Sequence, residues 1–279
     1  MPDSSPPVNE SPPPAGRYRP SPLIRGSVAL HAGAAAALVL RPALWPWAVG
    51  AVIADHLLLT AAGLVPRASL LGPNLTRLPG AAAARGEVAI TIDDGPDPAV
   101  TPAVLALLES HAVKASFFCI GERIARYRTL AREMVARGHT VENHSQHHLN
   151  RFSLLGPGAL RSEIAWAQDS IADATGTSPR FFRAPMGLRN PFLEPVLARA
   201  GLELVSWTRR GFDTVTADPL RVLARLTRAL RPGDILLLHD GHAARTAAGA
   251  AVIVEVLPRL LGALRHAGLT PVTLRAALS

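Results

Sequence analysis

Two short stretches concentrate ionisable groups: "TIDDGPDP" at residues 91–98, and "ENHSQHHLN" at residues 142–150, the second with three histidines in five positions. Asp, Gly and Pro are ordinary turn residues, so the first stretch taken alone also reads as a β-turn. Asp93 and Asp94, however, directly follow the apolar run "EVAITI". Adjacent carboxylates at the end of a buried strand repel each other unless a proton or a cation relieves them, and a bound metal does so. If the histidine stretch is helical, positions i and i+4 share a face with Cβ atoms about 6 Å apart. That spacing selects His144 and His148 as ligands and turns His147 roughly 100° away from His148. The pattern matches the H-E-x-x-H helix of metalloproteases except that position 145 is Ser, so the glutamate base is missing. Either Asp93 or Asp94 can serve as base, the other completing a two-His, one-carboxylate site with positions open for water and substrate.

Such groups need a scaffold that brings them together. From Glu87 onward, short β-branched runs alternate with longer helical ones, the signature of a parallel sheet or barrel wrapped by helices. Strands are expected at "EVAITI", "ASFFCI", "HTVEN", "RFFRA", "LELVSW", "DILLLH" and "TPVTL". Helices are expected over residues 101–111, 123–137, 158–174, 191–200, 219–230 and 250–266, the last with a core-facing stripe at Val252, Val256, Leu260 and Leu264 and a possible kink at Pro258. Asp93, Asp94, His144, Arg183, Asp213 and His239 then all fall at or beyond the carboxyl ends of expected strands. That rim is where barrels and open α/β sheets place their chemistry.

The 279-residue chain is long enough for one domain of about 200 residues plus further segments. Residues 1–22, rich in Pro and Ser, bury too little apolar surface to offset the entropy of ordering and read as a disordered tail. Residues 23–66 turn strongly apolar, as two runs of about 18 residues joined by "RPALWPW"; each is close to the length a bilayer core of roughly 30 Å needs. This reads as a membrane-associated helical hairpin with Trp45 and Trp47 at the interface. Asp55 and His56 in mid-span favour the competing reading, a pair of buried helices in a soluble protein. Arginines on both flanks of the hairpin favour both ends in the cytoplasm, whereas a single span at the second run would put the C-terminal part outside. The net charge of +8 is carried by scattered arginines, which suits an anionic membrane surface and lacks the clustering that nucleic-acid binding requires. The lone Cys119 reads as a buried core thiol.

"TIDDGP", "NHSQHH", "FFRAPMG", "GFD" and "ILLLH", in this order over residues 86–279, resemble the five catalytic motifs of the polysaccharide deacetylases, the NodB-homology or carbohydrate esterase family 4 proteins. The resemblance implies an α/β fold, a distorted (β/α) barrel of the NodB-homology type, and metal-dependent removal of an N-acyl group, usually acetyl, from an amino sugar. It implies Asp93 as catalytic base, and Asp94, His144 and His148 as ligands of a divalent metal, zinc foremost. Arg183 matches the arginine that positions the base, Asp213 the carboxylate that orients the acid, and His239 the general acid. Leu237 falls in the acetyl pocket, and the backbone N–H of Met186 is the expected oxyanion donor.

The match departs from the family pattern where Met186 replaces a more usual aromatic residue, where Arg209 and Arg210 stand in a commonly acidic region, and where Thr214 replaces the tryptophan after Asp213. These departures bear on the sugar subsite rather than on the hydrolytic core. His242 reads as a loop histidine, Asp240 as a turn residue, and His31 and His56 carry no expected catalytic role. The expected activity is N-deacetylation of an acylated amino sugar in a polysaccharide or lipid-linked glycan, with membrane lipids as further partners and no nucleic acid. The rival reading is a membrane-anchored, non-catalytic glycan-binding or assembly protein that keeps the barrel.

Overall fold

Helices return the chain between most successive strands, so every paired strand in the sheet runs parallel. The computed structural model describes residues 18–279. Its strands are β1 (Glu87–Asp93), β2 (Ser116–Cys119), β3 (Thr140–Asn143), β4 (Phe181–Phe182), β5 (Glu203–Leu204), β6 (Arg209–Arg210), β7 (Ile235–His239) and β8 (Thr270–Val272). They are ordered β5-β4-β3-β2-β1-β7-β6, with β8 beside the first half of β1. The two ends of this path, β5 and β6, are separated in the chain only by residues 205–208, so the sheet curls into the expected distorted (β/α) barrel.

Side-chain alternation along the strands decides what reaches the rim. Val88, Ile90 and Ile92 of β1 point outward into a core shared with the surrounding helices, while Ala89 joins Phe118, Phe181, Trp207 and Leu237 inside the barrel. Asp93, in phase with Ala89, therefore faces inward at the top of β1. The helices are α1 (Pro22–Leu40), α2 (Trp45–Leu64), α3 (Gly80–Ala84), α4 (Thr101–Ser110), α5 (Gly121–Arg126), α6 (Arg128–Ala136), α7 (Pro157–Thr175), α8 (Leu193–Ala200), α9 (Pro219–Thr227), α10 (Val252–His266) and α11 (Leu274–Ala277). The stripe Val252, Val256, Leu260 and Leu264 is buried as expected, and α10 is a single helix across Pro258.

Two local expectations fail, and one strand goes unannounced. The helix expected over 123–137 is two, α5 and α6, broken at Tyr127 (φ −119°, ψ 49°), so that α5 lies along α7 while α6 also covers β3. The arginine pair of β6 forms a strand that no apolar pattern announces. The segment after β3 is not helical, which changes the reason His144 and His148 meet.

Helices α1 and α2 pack against each other, and each lies in a helical stretch long and apolar enough to cross a membrane, with mean hydropathy 1.6. Asp55 does not face outward in mid-span: it is buried between them and accepts a 2.6 Å hydrogen bond from Ser27 Oγ. That contact satisfies the Asp55 carboxyl, while His56 beside it stays exposed. Ile53 and Leu57 lie exposed on the face of the pair away from the barrel. The end of α2 docks on the barrel, where Arg189 N–H donates to the Gly63 carbonyl at 3.2 Å and a Cβ at position 63 would collide with the Arg189 carbonyl. Of the expected tail, residues 1–17 lie outside the described residues; Ser21 caps α1 through its Oγ.

Candidate active site

Strand register sets out the site. Asp93 pairs with His239 across β1 and β7 and with Phe118 across β1 and β2, while Cys119 of β2, buried and free as expected, pairs with Asn143. Asn143 pairs with Phe182. Five neighbouring strands thus end level, and Asp93, Asp94, His144, Arg183 and His239 line one rim. Asp213 follows β6 rather than β5 and reaches the same rim beside β7.

His144 and His148 converge without a helix. Asn143 Oδ1 accepts from Ser145 N at 2.9 Å, Asn143 Nδ2 donates to Ile164 O and Gln168 Oε1, and Ser145 Oγ accepts from His148 N at 3.1 Å. These side chains fold the loop as a pair of local turns anchored on α7. Ser145 (φ 64°) and His148 (φ 49°) take left-handed backbone angles. Asp94, Met186, Phe212 and His242 do too, so most of the non-glycine left-handed residues among those described border this site. His147 turns away and pairs with Glu163 at 2.7 Å.

The His144 ring donates from Nδ1 to the Arg183 carbonyl at 2.8 Å, which leaves Nε2 as a lone pair pointing into the site. Nε2 of His144 and Nε2 of His148 each lie 3.3 Å from Asp94 Oδ1. That oxygen is buried and has no hydrogen-bond partner among the described residues. Burial and the neighbouring His144 push the His148 pKa down to about 4, so at neutral pH its ring is an uncharged ligand and not a counter-ion. Burial opposes the Asp94 charge, but the facing His144 and His242 outweigh it and hold that carboxyl well below the usual range. An orphaned carboxylate oxygen facing two imidazole nitrogens fits a divalent cation, and the three ligand atoms lie within 4.8 Å of one another.

Two supported pairs flank this set. Arg183, 1% exposed, donates from Nη1 to Asp93 Oδ1 at 2.5 Å and Thr91 Oγ1 at 2.9 Å, and from Nη2 to Ser206 O. Its guanidinium lies 4.0 Å from the Phe118 ring centroid, so the charge is both paired and enclosed. Asp93 Oδ2 is left free of Arg183, 3.8 Å from His144 Nε2. Opposite, Asp213 grips His239 twice, accepting from Nδ1 at 2.8 Å and from the backbone N–H at 2.7 Å. Burial alone would lower the His239 pKa; Asp213, with Asp93 and Asp94 behind it, raises it to about 9. His239 is thus a cation at neutral pH, with Nε2 available to the cleft.

The cleft itself holds about 280 Å³ and is lined by Asp94, His144, His148, Met186, Arg210 and His239, among others. Met186 stands at its rim, 40% exposed, and its N–H makes no backbone hydrogen bond among the described residues. Leu237 does not line the cleft; it is buried one pleat below His239 in the barrel interior. The two arginines of β6 diverge. Arg209 turns back to Asp234 at 3.0 Å, whereas Arg210 faces the cleft over Phe212, 4.9 Å from the ring centroid.

Two residues read from sequence as loop and turn belong to this site. His242 accepts from Arg123 Nη2 at 3.1 Å through Nε2, which puts its proton on Nδ1, 3.1 Å from Asp94 Oδ2. It thereby holds one oxygen of Asp94 and turns the other toward the two histidines. Asp240 is buried, accepts from Thr101 Oγ1 at 2.5 Å, and leaves no room for a Cβ on Gly95, so it braces the loop that carries Asp94. Burial, with the Asp94 charge nearby, pushes its pKa up to about 7 against the hydrogen bond from Thr101. Both follow His239 in "HDGH", a density of polar residues after a buried strand that was the available signal.

Residues 81–205 match the family model described as polysaccharide deacetylase. A chitooligosaccharide deacetylase of Bradyrhizobium sp. is 39% identical over 156 residues, which span 56% of this chain and 71% of the relative. A peptidoglycan-N-acetylglucosamine deacetylase of Bacillus cereus is 33% identical over 181 residues, 62% of this chain and 81% of the relative. Among solved structures, the family 4 carbohydrate esterase from Streptomyces lividans in complex with acetate aligns with a TM-score of 0.61 and 32% identity, covering 67% of this chain and 91% of that one.

Proposed function

The chain belongs to the polysaccharide deacetylase family, hydrolases of the amide carbon–nitrogen bond in acetylated sugars, and from that premise we propose a metal-dependent N-deacetylase of an amino sugar carried on a polysaccharide or lipid-linked glycan. The observation that carries the reading is the opposition across one cleft of a braced carboxylate, Asp93 on Arg183, and a braced imidazolium, His239 on Asp213. Asp94, His144 and His148 would hold the metal, zinc foremost, whose charge acidifies water and polarises an acyl oxygen when bound.

Asp93 accepts the proton of the attacking water through Oδ2, while Arg183 fixes its other oxygen and so its aim. The Met186 N–H, without a backbone partner among the described residues, donates to the oxygen of the tetrahedral intermediate. His239 then gives its Nε2 proton to the departing amine as the carbon–nitrogen bond breaks, leaving a free amino sugar and acetate. Leu237, buried one pleat beneath His239, backs the acetyl side of the site from the barrel interior. The domain that does this extends over residues 86–279, behind a membrane anchor at 23–66 whose exposed outer faces suit lipid.

The second reading, a non-catalytic glycan-binding or assembly protein, draws on Arg210 and Thr214, which line the cleft where the family pattern has other residues. The test is acetate release from N-acetylchitotetraose, with metal content measured on the same sample. Stoichiometric metal and no release from it or from a lipid-linked N-acetyl sugar favours the second reading.

A further inference from the structure

A second cavity, of about 500 Å³ against about 280 Å³ for the catalytic cleft, lies between the α1–α2 pair and the loops after β3 and β4. Ile24, Val28 and Leu59 wall it on the helical side, and Leu154 and Phe192 on the barrel side. Leu154 is 82% exposed and Phe192 51%, so two large apolar side chains stand open at its edge. The volume and the apolar lining are those of a small-molecule site.

One charged group lines this groove without a full complement of partners. Arg189 is only 5% exposed; its Nη2 donates to the Ala68 carbonyl, and its Nε has no partner among the described residues. A buried arginine with an idle donor calls for an anion. Glu194 acts on it through space, and burial raises the Glu194 pKa, so that carboxyl is a weak counter-charge.

The groove and the catalytic cleft share their dividing wall. Asn150 and Met186 line the cleft, and Ser153, Leu154 and Arg189, a few residues further along the same two loops, line the groove. On the cleft side stands Arg210, whose Nε is also buried and unpartnered among the described residues. A molecule that spans the wall meets an apolar channel, then cations, then the hydrolytic groups. The channel is built from helices of membrane-spanning length, so a chain can enter it from a bilayer.

We propose that this groove binds the hydrocarbon chain of an anionic lipid-linked amino sugar, with its phosphate at Arg189 and its acetamido group in the catalytic cleft. The inference rests on the deacetylase reading and narrows its substrate to the lipid-linked class.

Full-length protein in phosphatidylcholine nanodiscs would be photolabelled with a farnesyl phosphate bearing a diazirine on its chain. Label is expected on peptides containing Leu154 and Phe192. It should fall at least tenfold with excess polyprenyl-phosphate-linked N-acetylglucosamine and remain with farnesol. In Leu154→Asp, an exposed position that the fold tolerates, label should fall likewise and KM for the lipid-linked sugar should rise about tenfold, with kcat/KM on N-acetylchitotetraose within about twofold of wild type. Label displaced equally by farnesol, or undiminished in Leu154→Asp, means bulk lipid only and overturns the proposal. Hydrolysis of N-acetylchitotetraose without competable label overturns the inference and leaves the deacetylase reading standing. Competable label with neither sugar hydrolysed overturns the deacetylase reading and the substrate role of the groove with it.

Discussion

Replacing Asp213 by Asn is expected to move the basic limb of the pH–rate profile, not merely to lower the rate. His239 is buried, which disfavours its charge, and Asp213 with Asp93 and Asp94 overcomes that burial to bring the pKa to about 9. Without the Asp213 charge the ring returns to the ordinary value near 6.5 or below, a difference of about 3 kcal/mol. At pH 8 a group of pKa 9 is about 90% protonated and one of pKa 6.5 about 3%, so the acid's population falls roughly 30-fold; at pH 6 the deficit is less than about twofold. A dication at Asp94 lowers both values together, so in the metal-loaded enzymes the two basic limbs move to lower pH while the separation between them remains. The amide also offers one acceptor where Asp213 supplies two, to His239 Nδ1 and N–H, so the variant should melt earlier. The assay is kcat/KM for acetate release from N-acetylchitotetraose between pH 5.5 and 10, on metal-matched samples. A basic limb unmoved in the variant, or a loss equal at every pH, refutes His239 as an acid tuned by Asp213.

Arg183→Met should cost about 3–5 kcal/mol of stability in urea unfolding, because it strands the buried Asp93 carboxylate. His242→Ala should weaken metal binding about 10- to 100-fold in chelator competition, through loss of the hydrogen bond that turns Asp94. Thermal stability of the metal-free protein should decline with alkalinity: the folded-state pKa of His239 lies above its unfolded value, so its contribution is full below about 6.5 and lost as pH rises through about 9. Melting curves of metal-free Asp213→Asn should lack that alkaline decline.

The sequence made the scaffold readable wherever a strand was long and apolar. "EVAITI" and "ILLLH" announce β1 and β7, and their alternation places Asp93 and His239 inward at one rim. β6 was not readable, because two arginines paired at a sheet edge leave no hydrophobic trace, and Asp213 was therefore referred to β5. His144 and His148 were found for a reason that does not hold. The i, i+4 spacing assumed a helix, whereas Asn143 and Ser145 cap local turns and two left-handed residues bring the rings together. His242 and Asp240 act through contacts with Asp94 and Gly95, about 150 positions away in the chain, and such contacts are invisible to local pattern.

The account stands on Asp93 as the base beside a metal held by Asp94, His144 and His148. The direct measurement is metal content and acetate release, taken together, for wild type and Asp93→Asn. The expected result is one divalent ion per chain in both proteins, acetate and free amine from wild type in equal amounts, and a loss of about 10² to 10⁴ in turnover for the variant. Wild-type turnover in Asp93→Asn with its metal retained contradicts the account.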